Sequence, residues 1–271
     1  MRELERDIPD LAAQGAASEA MPRLAIIGPG RAGRSIARAA ELAGLSPALA
    51  GRDRALEACR RAELALLCVP DAAIGDACAS IASAVPPLRY VGHVSGATAL
   101  TALAPAAARG AEVFSLHPLQ TIPDGDAELA GSACAISGSS TAALGLAEGL
   151  AMRLGMRPFA VAEEDRTAYH AAASIASNLL VALEESAARL LRKAGVEAGR
   201  ELLAPLVLRT AANWAERGAD ALTGPIARGD TGTVERHLEA LRAIAPELLP
   251  AYEALAERAR ALASEGAEAA A

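Results

Sequence analysis

Residues 23–33 constrain this chain more than any other stretch. They read Arg23-Leu-Ala-Ile-Ile-Gly-Pro-Gly-Arg-Ala-Gly33. A short apolar run enters a glycine turn, and a helix-forming run leaves it. Gly28, Gly30 and Gly33 fit the spacing G-x-G-x-x-G. Each glycine has its own task in a strand–turn–helix unit. The first permits a tight turn, the second lets the backbone approach a pyrophosphate, and the third lets the helix pack close to the strand. The N–H groups of the first helical turn then face an anion. The spacing therefore predicts a dinucleotide site lined by Gly28, Pro29, Gly30, Arg31, Ala32 and Gly33.

The chain beyond Gly33 repeats the same unit. Apolar runs at 23–28, 46–50, 64–69, 90–94, 112–116, 133–137 and 157–161 read as strands. Helical runs lie between most of them, including 31–43 and 140–154, and 121–131 reads as a loop. Strands and helices alternating at this pitch predict an α/β fold, a doubly wound, mostly parallel Rossmann-type sheet. The rhythm changes after Val161. Residues 163–194 read as one long helix, followed by helices over 197–217, 231–243 and 246–263. The expected division is a loose, disordered extension at 1–21, a dinucleotide domain at 22–162 and an all-α domain at 163–271. With 52% hydrophobic but only 2% aromatic residues, Ala, Leu and Val must fill the cores, which favours close helix packing.

Composition excludes several functions. The net charge is −7 and no basic stripe interleaves with aromatics, so nucleic acid is not an expected partner. No apolar run approaches the roughly 20 residues of a membrane helix. Residues 1–20 carry no signal-peptide core, and the four cysteines show neither C-x-x-C nor metal-ligand spacing with His. Free thiols in a reducing cytoplasm, with no metal site, are the expectation.

Ligands of an open parallel sheet bind beyond the carboxyl ends of its strands. Those ends carry Gly28–Gly33, Gly51-Arg-Asp-Arg54, Val69-Pro70-Asp71, Ser95-Gly96 and His117-Pro-Leu-Gln120. The second strand lacks a terminal acid to take the ribose hydroxyls and has Arg52 instead, which can grip a 2′-phosphate. NADP is therefore expected rather than NAD. Lys193 is the only lysine among 26 basic residues, so an arginine at any one site carries less weight than usual. Ser95, Gly96 and Gln120 are candidate substrate contacts. His117, at a strand end, is a candidate acid–base residue, whereas His93, inside a strand, is expected to be a satisfied core histidine. On the long helix, His170, Ser174 and Asn178 at i, i+4 and i+8 form a polar stripe among small and apolar neighbours, which predicts a substrate-facing surface or a set of interhelical hydrogen bonds. Arg228, in the break Leu222-Thr-Gly-Pro-Ile-Ala-Arg-Gly-Asp230, is a candidate anion grip.

The ordered motifs GPGRAG, GRDR, LLCVPD, HVSGA, SLHPLQ, YHAAA with a following SN, and LTGPIARGD resemble a bacterial oxidoreductase family. Its members join a Rossmann-like NADP-binding domain to a helical C-terminal domain of unknown function. More remotely the chain is similar to the 6-phosphogluconate and β-hydroxyacid dehydrogenases, pyrroline-5-carboxylate reductase and ketopantoate reductase. The resemblance implies a homodimer built through the helical domain and an active site in a cleft between domains. The convergence of strand-end polar residues with the helix stripe makes an NADP-dependent oxidoreductase acting on a small polar or anionic metabolite the expected function. The sequence departs from the β-hydroxyacid dehydrogenases at one place. If Asn178 is their asparagine, Ser174 stands where they carry a catalytic lysine, so His170 or His117 must move the proton. A nucleotide-binding sensor without turnover is the alternative that this departure raises.

Overall fold

A computed structural model describes residues 21–270 of the chain, with side chains to residue 265. The expected N-terminal extension thus lies almost wholly outside the described residues. Contacts divide the chain into two compact units, one ending at Ala173 and one beginning at Ser174.

The first unit is built on a seven-stranded sheet. Its strands are β1 (Leu24–Ile27), β2 (Ala48–Ala50), β3 (Leu64–Leu67), β4 (Tyr90–His93), β5 (Glu112–Leu119), β6 (Ala133–Gly138) and β7 (Arg157–Ala160). They lie in the order β2-β1-β3-β4-β5-β6-β7, all parallel except the β5–β6 pair. β1 reads Leu-Ala-Ile-Ile and β3 reads Leu-Ala-Leu-Leu, every residue buried. Neither alternates, because helices cover both faces of the sheet. On one face Leu24, Ile26, Leu64 and Leu66 pack with Ile36 and Ala40 of α1 (Arg31–Leu42) and Ala147 and Leu150 of α5 (Thr141–Arg153). On the other, Ile27, Leu67 and Val91 meet Ile74, Cys78 and Ile81 of α3 (Ile74–Ile81). Two short helices, α2 (Ala55–Arg60) and α4 (Ala104–Ala107), complete the crossovers. All four cysteines are buried free thiols, and burial pushes Cys59, Cys68 and Cys134 up to about 12, so none supplies a thiolate near neutral pH.

The sheet departs from expectation at β5. This strand runs on to Leu119 and does not stop at Leu116, because β6 returns antiparallel and pairs with it as far as Leu119 opposite Ala133. β4 ends at His93 opposite Ser115. Residues 116–119 of β5 therefore pair only with β6. That open edge tolerates Pro118, which has no N–H to donate, and it leaves His117 inside a strand with one side unoccupied by sheet.

The helix α6 (Arg166–Ser174) closes the first unit, and the chain continues through a π-helical segment, Ile175–Leu179, into α7 (Leu180–Lys193). The second unit adds α8 (Gly199–Arg217), α9 (Thr231–Ile244) and α10 (Leu249–Ala270). Within it, Lys193 pairs with Glu247 at 2.7 Å and Arg200 with Glu185 at 3.0 Å. Asp230 caps α9 by accepting from the Thr233 N–H at 3.0 Å. No helix among the described residues is long and apolar enough to cross a membrane.

Candidate active site at the carboxyl edge of the sheet

The glycine turn has the shape its spacing predicts, and the surroundings of each glycine separate their tasks. Gly28 has φ 114°, a region that favours glycine, and a Cβ there would meet the Cys68 carbonyl oxygen at 2.3 Å. A Cβ on Gly33 would meet the Gly28 carbonyl oxygen at 1.9 Å. These two glycines let strand, turn and helix close on each other. Gly30 has no atom of the described residues within 4 Å of the position its Cβ would take. Its freedom is unused by the protein's own packing and is available to a bound group. Gly30 also caps α1 without a side-chain hydrogen bond, so the first-turn N–H groups of Arg31, Ala32 and Gly33 have no side-chain acceptor. This cradle fits a pyrophosphate. Around it, a Cβ on Gly51 would lie 3.9 Å from the Pro29 ring, which places the exposed turn Arg52–Arg54 beside the glycine loop. Val69 lies 3.1 Å from the Cβ position of Gly28, and Pro70 follows it. Arg31 reaches across to the Pro123 carbonyl at 3.5 Å.

A second cluster lies further along the same edge. Gly96 is buried, and a Cβ on it would meet His170 Cδ2 at 2.6 Å and His117 Cε1 and Nε2 at 2.8 and 2.9 Å. Both imidazoles therefore rest on the bare Gly96 backbone. His117 Nδ1 is 2.7 Å from the Tyr169 hydroxyl, and the His117 ring stands edge-on to the rings of Tyr169 and His170, with centroids 5.6 and 5.9 Å away. Burial, then the neighbouring His170 and Arg166, lower His117 to about 4. Burial raises Tyr169 to about 12. Near neutral pH the pair is thus a neutral imidazole against a protonated phenol.

Next to this pair lies an ionic network, centred on a buried arginine, that no sequence motif announces. Arg166 is 3% exposed. Its Nη2 donates to Ser115 Oγ at 2.7 Å, to Ser137 Oγ and to Glu163 Oε1, while Nε donates to the same carboxylate oxygen at 3.0 Å. Nη1 reaches the Ser95 carbonyl at 3.5 Å. Glu163 accepts from Ser137 Oγ at 2.9 Å and, through its other oxygen, from the Leu100 N–H at 2.9 Å. Those hydrogen bonds, with the Arg166 charge, outweigh desolvation and hold the carboxyl below its usual range. Strand register explains the serines. His93 pairs with Ser115, and Ser115 with Ser137, so one polar row crosses three strands at the level where the apolar core ends.

Several expectations change in this setting. His93 is not fully satisfied: Nδ1 accepts from the Ser95 N–H at 3.2 Å, which puts the proton on Nε2, and buried Nε2 has no partner among the described residues. The Ser95 hydroxyl serves its own turn, accepting from the Ala97 and Thr98 N–H groups at 3.2 and 2.9 Å. Gln120 turns into the β5–β6 loop, where Oε1 accepts from the Thr121 N–H at 2.8 Å. A stripe at i, i+4 and i+8 requires an unbroken α-helix. The π-helical segment at Ile175–Leu179 changes the rotation before Asn178 is reached, and such segments are frequent at functional sites. Ser174 is half-buried and Asn178 is exposed, so they are not a buried polar stripe. Ser174, Asn178 and the exposed Arg228 belong to the second unit. Only His117, His170, Gly96 and Ser95 of the expected chemical residues come together within the first. Tyr169 flanks His170 in the sequence. That adjacency is its one sequence signal, because the partner that gives it meaning, His117, is 52 residues away.

Comparison with known proteins follows the same division. Residues 47–118 match the Rossmann-like domain family, and residues 132–259 match the family described as a domain of unknown function, DUF2520. His93, Gly96 and His117 fall in the first match, and Glu163, Arg166, Tyr169 and His170 in the second. No curated protein matches the sequence. Among solved structures, a Bacteroides fragilis protein provisionally named an NADP oxidoreductase superposes with a TM-score of 0.72 at 21% identity, covering 88% of this chain and 98% of that one. A reductive aminase from Aspergillus terreus, in complex with NADPH and ethyl-5-oxohexanoate, gives 0.65 at 19% identity, covering 89% and 94%. A pyrroline-5-carboxylate reductase from Coxiella burnetii gives 0.56 at 16% identity, covering 90% and 99%. These likenesses are likenesses of fold. In this chain a match to the Rossmann-like domain family is followed by a match to the DUF2520 family.

Proposed function

We propose that this protein is an NADP-dependent oxidoreductase that reduces a carbonyl or neutral imine group of a small polar metabolite. The observation that carries the reading is the division of labour in the glycine turn, where Gly28 and Gly33 are filled by the protein's own backbone and Gly30 is left open. NADP-linked structural neighbours, one of them a reductive aminase in complex with NADPH and ethyl-5-oxohexanoate, support it. The cofactor, when bound, supplies a hydride. The chain's task is to hold the dinucleotide, present the substrate and deliver one proton.

Tyr169 and His117 suit that last task. A phenol raised to about 12 keeps its proton at neutral pH, and the adjacent imidazole is neutral. If His117 Nδ1–H donates to the phenol oxygen, the Tyr169 O–H is free to donate onward; in the other tautomer His117 Nε2–H is the donor. Tyr169 or His117 would deliver the proton to the substrate's oxygen or nitrogen while its carbon took up the hydride that the cofactor would supply. A weak neutral acid suits a heteroatom that becomes strongly basic as it is reduced. The site therefore dispenses with the lysine of the β-hydroxyacid dehydrogenases. A proton donor at this place favours turnover over a nucleotide-binding sensor, which has no need of one.

Binding tests the reading first. NADPH should quench or shift fluorescence with saturable affinity, and NADH should bind more weakly. Arg52→Ala should weaken NADPH by about 10- to 100-fold, the value of one lost charge-assisted phosphate contact, and leave NADH nearly unchanged. Absence of binding by either nucleotide at millimolar concentration would overturn the assignment.

The same reading includes a homodimer through the helical unit. Leu202 and Leu206 stand at i and i+4 on α8 and are 59% and 63% exposed, with Leu208, Trp214 and, on α7, Val181 exposed as well. Exposed apolar residues gathered on two helices support an interface. Light scattering should give about twice the 27.5 kDa chain mass, and Leu206→Glu should shift the population toward the single chain. A monomer at micromolar concentration would remove the dimer from the proposal.

A further inference from the structure

Arg166 makes too many bonds to too many elements for a surface ion pair that happened to be covered. It is the first residue of α6, and Tyr169 and His170 lie at i+3 and i+4, on the same side of the helix one turn on. Its planar fork reaches a hydroxyl on β5, a hydroxyl on β6, a carbonyl after β4 and the carboxylate just before α6. Glu163 ties this to a fifth point, the Leu100 N–H. An ion pair with a buried guanidinium contributes little net stability, since desolvation of the arginine offsets the attraction, so the consequence of such a network is geometric. The first turn of α6 is clamped to the sheet in one rotation and at one height. That rotation sets Tyr169 against His117 Nδ1 and lays His170 beside Gly96.

We propose that Arg166 is the positioning residue of the proton-delivering pair: its guanidinium, gripping Ser115, Ser137 and Glu163, fixes the phase of α6 and so selects a single hydrogen-bonded arrangement of His117 and Tyr169. It touches neither substrate nor cofactor in this role. The role rests on the proposed oxidoreductase function only in giving the pair its purpose; the positioning is a property of the protein alone. Charge acts alongside geometry. The groups facing His117 are Tyr169, His170 and Arg166 on α6, Asp71 after β3 and His93 on β4. Of these, Arg166 and His170 oppose an imidazolium and Asp71 favours it.

Nitrogen-15 spectra of the imidazoles on the unliganded full chain separate these effects. In the wild type, His117 should show one neutral tautomer, with Nδ1 and Nε2 shifts well apart, and should titrate well below the ordinary histidine value. Arg166→Met should bring the two shifts toward a common average and move the midpoint upward. Arg166→Lys keeps a cation but loses the planar fork, so the midpoint should stay low while the tautomers mix. Ser137→Ala removes one acceptor and no charge, and remains informative if Arg166→Met does not fold; it should mix the tautomers at an unchanged melting temperature. A folded Arg166→Met, or a Ser137→Ala protein, whose His117 keeps the wild-type tautomer overturns the proposal. NADPH titration of the same proteins is independent, because Arg166 has no contact with the glycine turn. Loss of binding in the wild type would reject the oxidoreductase reading and leave the tautomer result standing.

Discussion

Gly30→Ala should leave the fold intact and abolish high-affinity dinucleotide binding, while Gly33→Ala should break the fold. The two positions are three residues apart in one motif, yet the space around them is opposite. A methyl on Gly30 meets no atom of the described residues within 4 Å, so the melting temperature should move by no more than a degree or two. The methyl would occupy the face over which a pyrophosphate must pass, so NADPH affinity should fall by at least about 100-fold. A methyl on Gly33 lands 1.9 Å from a backbone carbonyl oxygen, and 3.3 Å from Cys68 Cβ beyond it. Backbone cannot swing aside as the end of a flexible side chain can. The helix must back away from β1, taking Ile36 and Ala40 out of register with Ile26 and Leu66 in the core. Overpacking of this kind costs about 3 kcal/mol or more, a large share of the ~5–15 kcal/mol that holds a domain folded, and a clash with rigid backbone lies at the upper end of that cost. Thermal melts and NADPH titration of both variants check the pair. If Gly30→Ala bound NADPH like the wild type, the turn would be a structural closure only, and the functional proposal would lose its main support.

The parts of this structure governed by local chemistry are legible in the sequence. The glycine turn, all seven strands and the long helix after residue 162 follow from short-range patterns of apolar, glycine and capping residues. Features that a distant partner decides are not legible. The extension of β5 past Leu116 depends on the antiparallel return of β6, which no pattern within 112–119 announces. The π-helical segment at Ile175–Leu179 follows from no local breaker, since Ile-Ala-Ser-Asn-Leu reads as ordinary helix. Arg166 is hidden by composition: in a chain whose cations are nearly all arginine, one more near a helix start gives no signal. Its meaning depends on Ser115 and Ser137, which are 51 and 29 residues away and come together only through sheet register. Ser95 and Gln120 lie where ligand contacts are expected, at strand ends, but strand ends must also satisfy their own turns. Both side chains are used that way.

Acidification should destabilise this protein early, between about pH 6.5 and pH 4, and His93 should account for much of the loss. His93 is fully buried, and burial, with the Arg166 charge, lowers it to about 4. His117 is lowered to about the same value. In the unfolded chain both take up a proton near the ordinary histidine value of about 6.5. Below that pH the unfolded state binds protons that the folded state refuses, so unfolding becomes more favourable as pH falls, and the loss is complete once pH passes the folded value. A separation of this size corresponds to about 3 kcal/mol for His93, with less for the half-buried His117, whose charge is partly screened by solvent. For a chain of this size that is a fall in melting temperature on the order of 10 °C. Glu163 acts in the same direction at lower pH, since its carboxyl is held below its usual range and its contribution disappears as it protonates. His93→Asn isolates the histidine term. Its amide oxygen can take over the Ser95 N–H that Nδ1 accepts, and it does not titrate. The slope of melting temperature against pH in this window should fall by roughly half in that variant, with stability at pH 8 little changed. An unchanged slope would mean that buried His93 carries no titration penalty. The unpartnered Nε2–H would then have an acceptor of its own, such as an internal water, that stabilises the ring in either charge state.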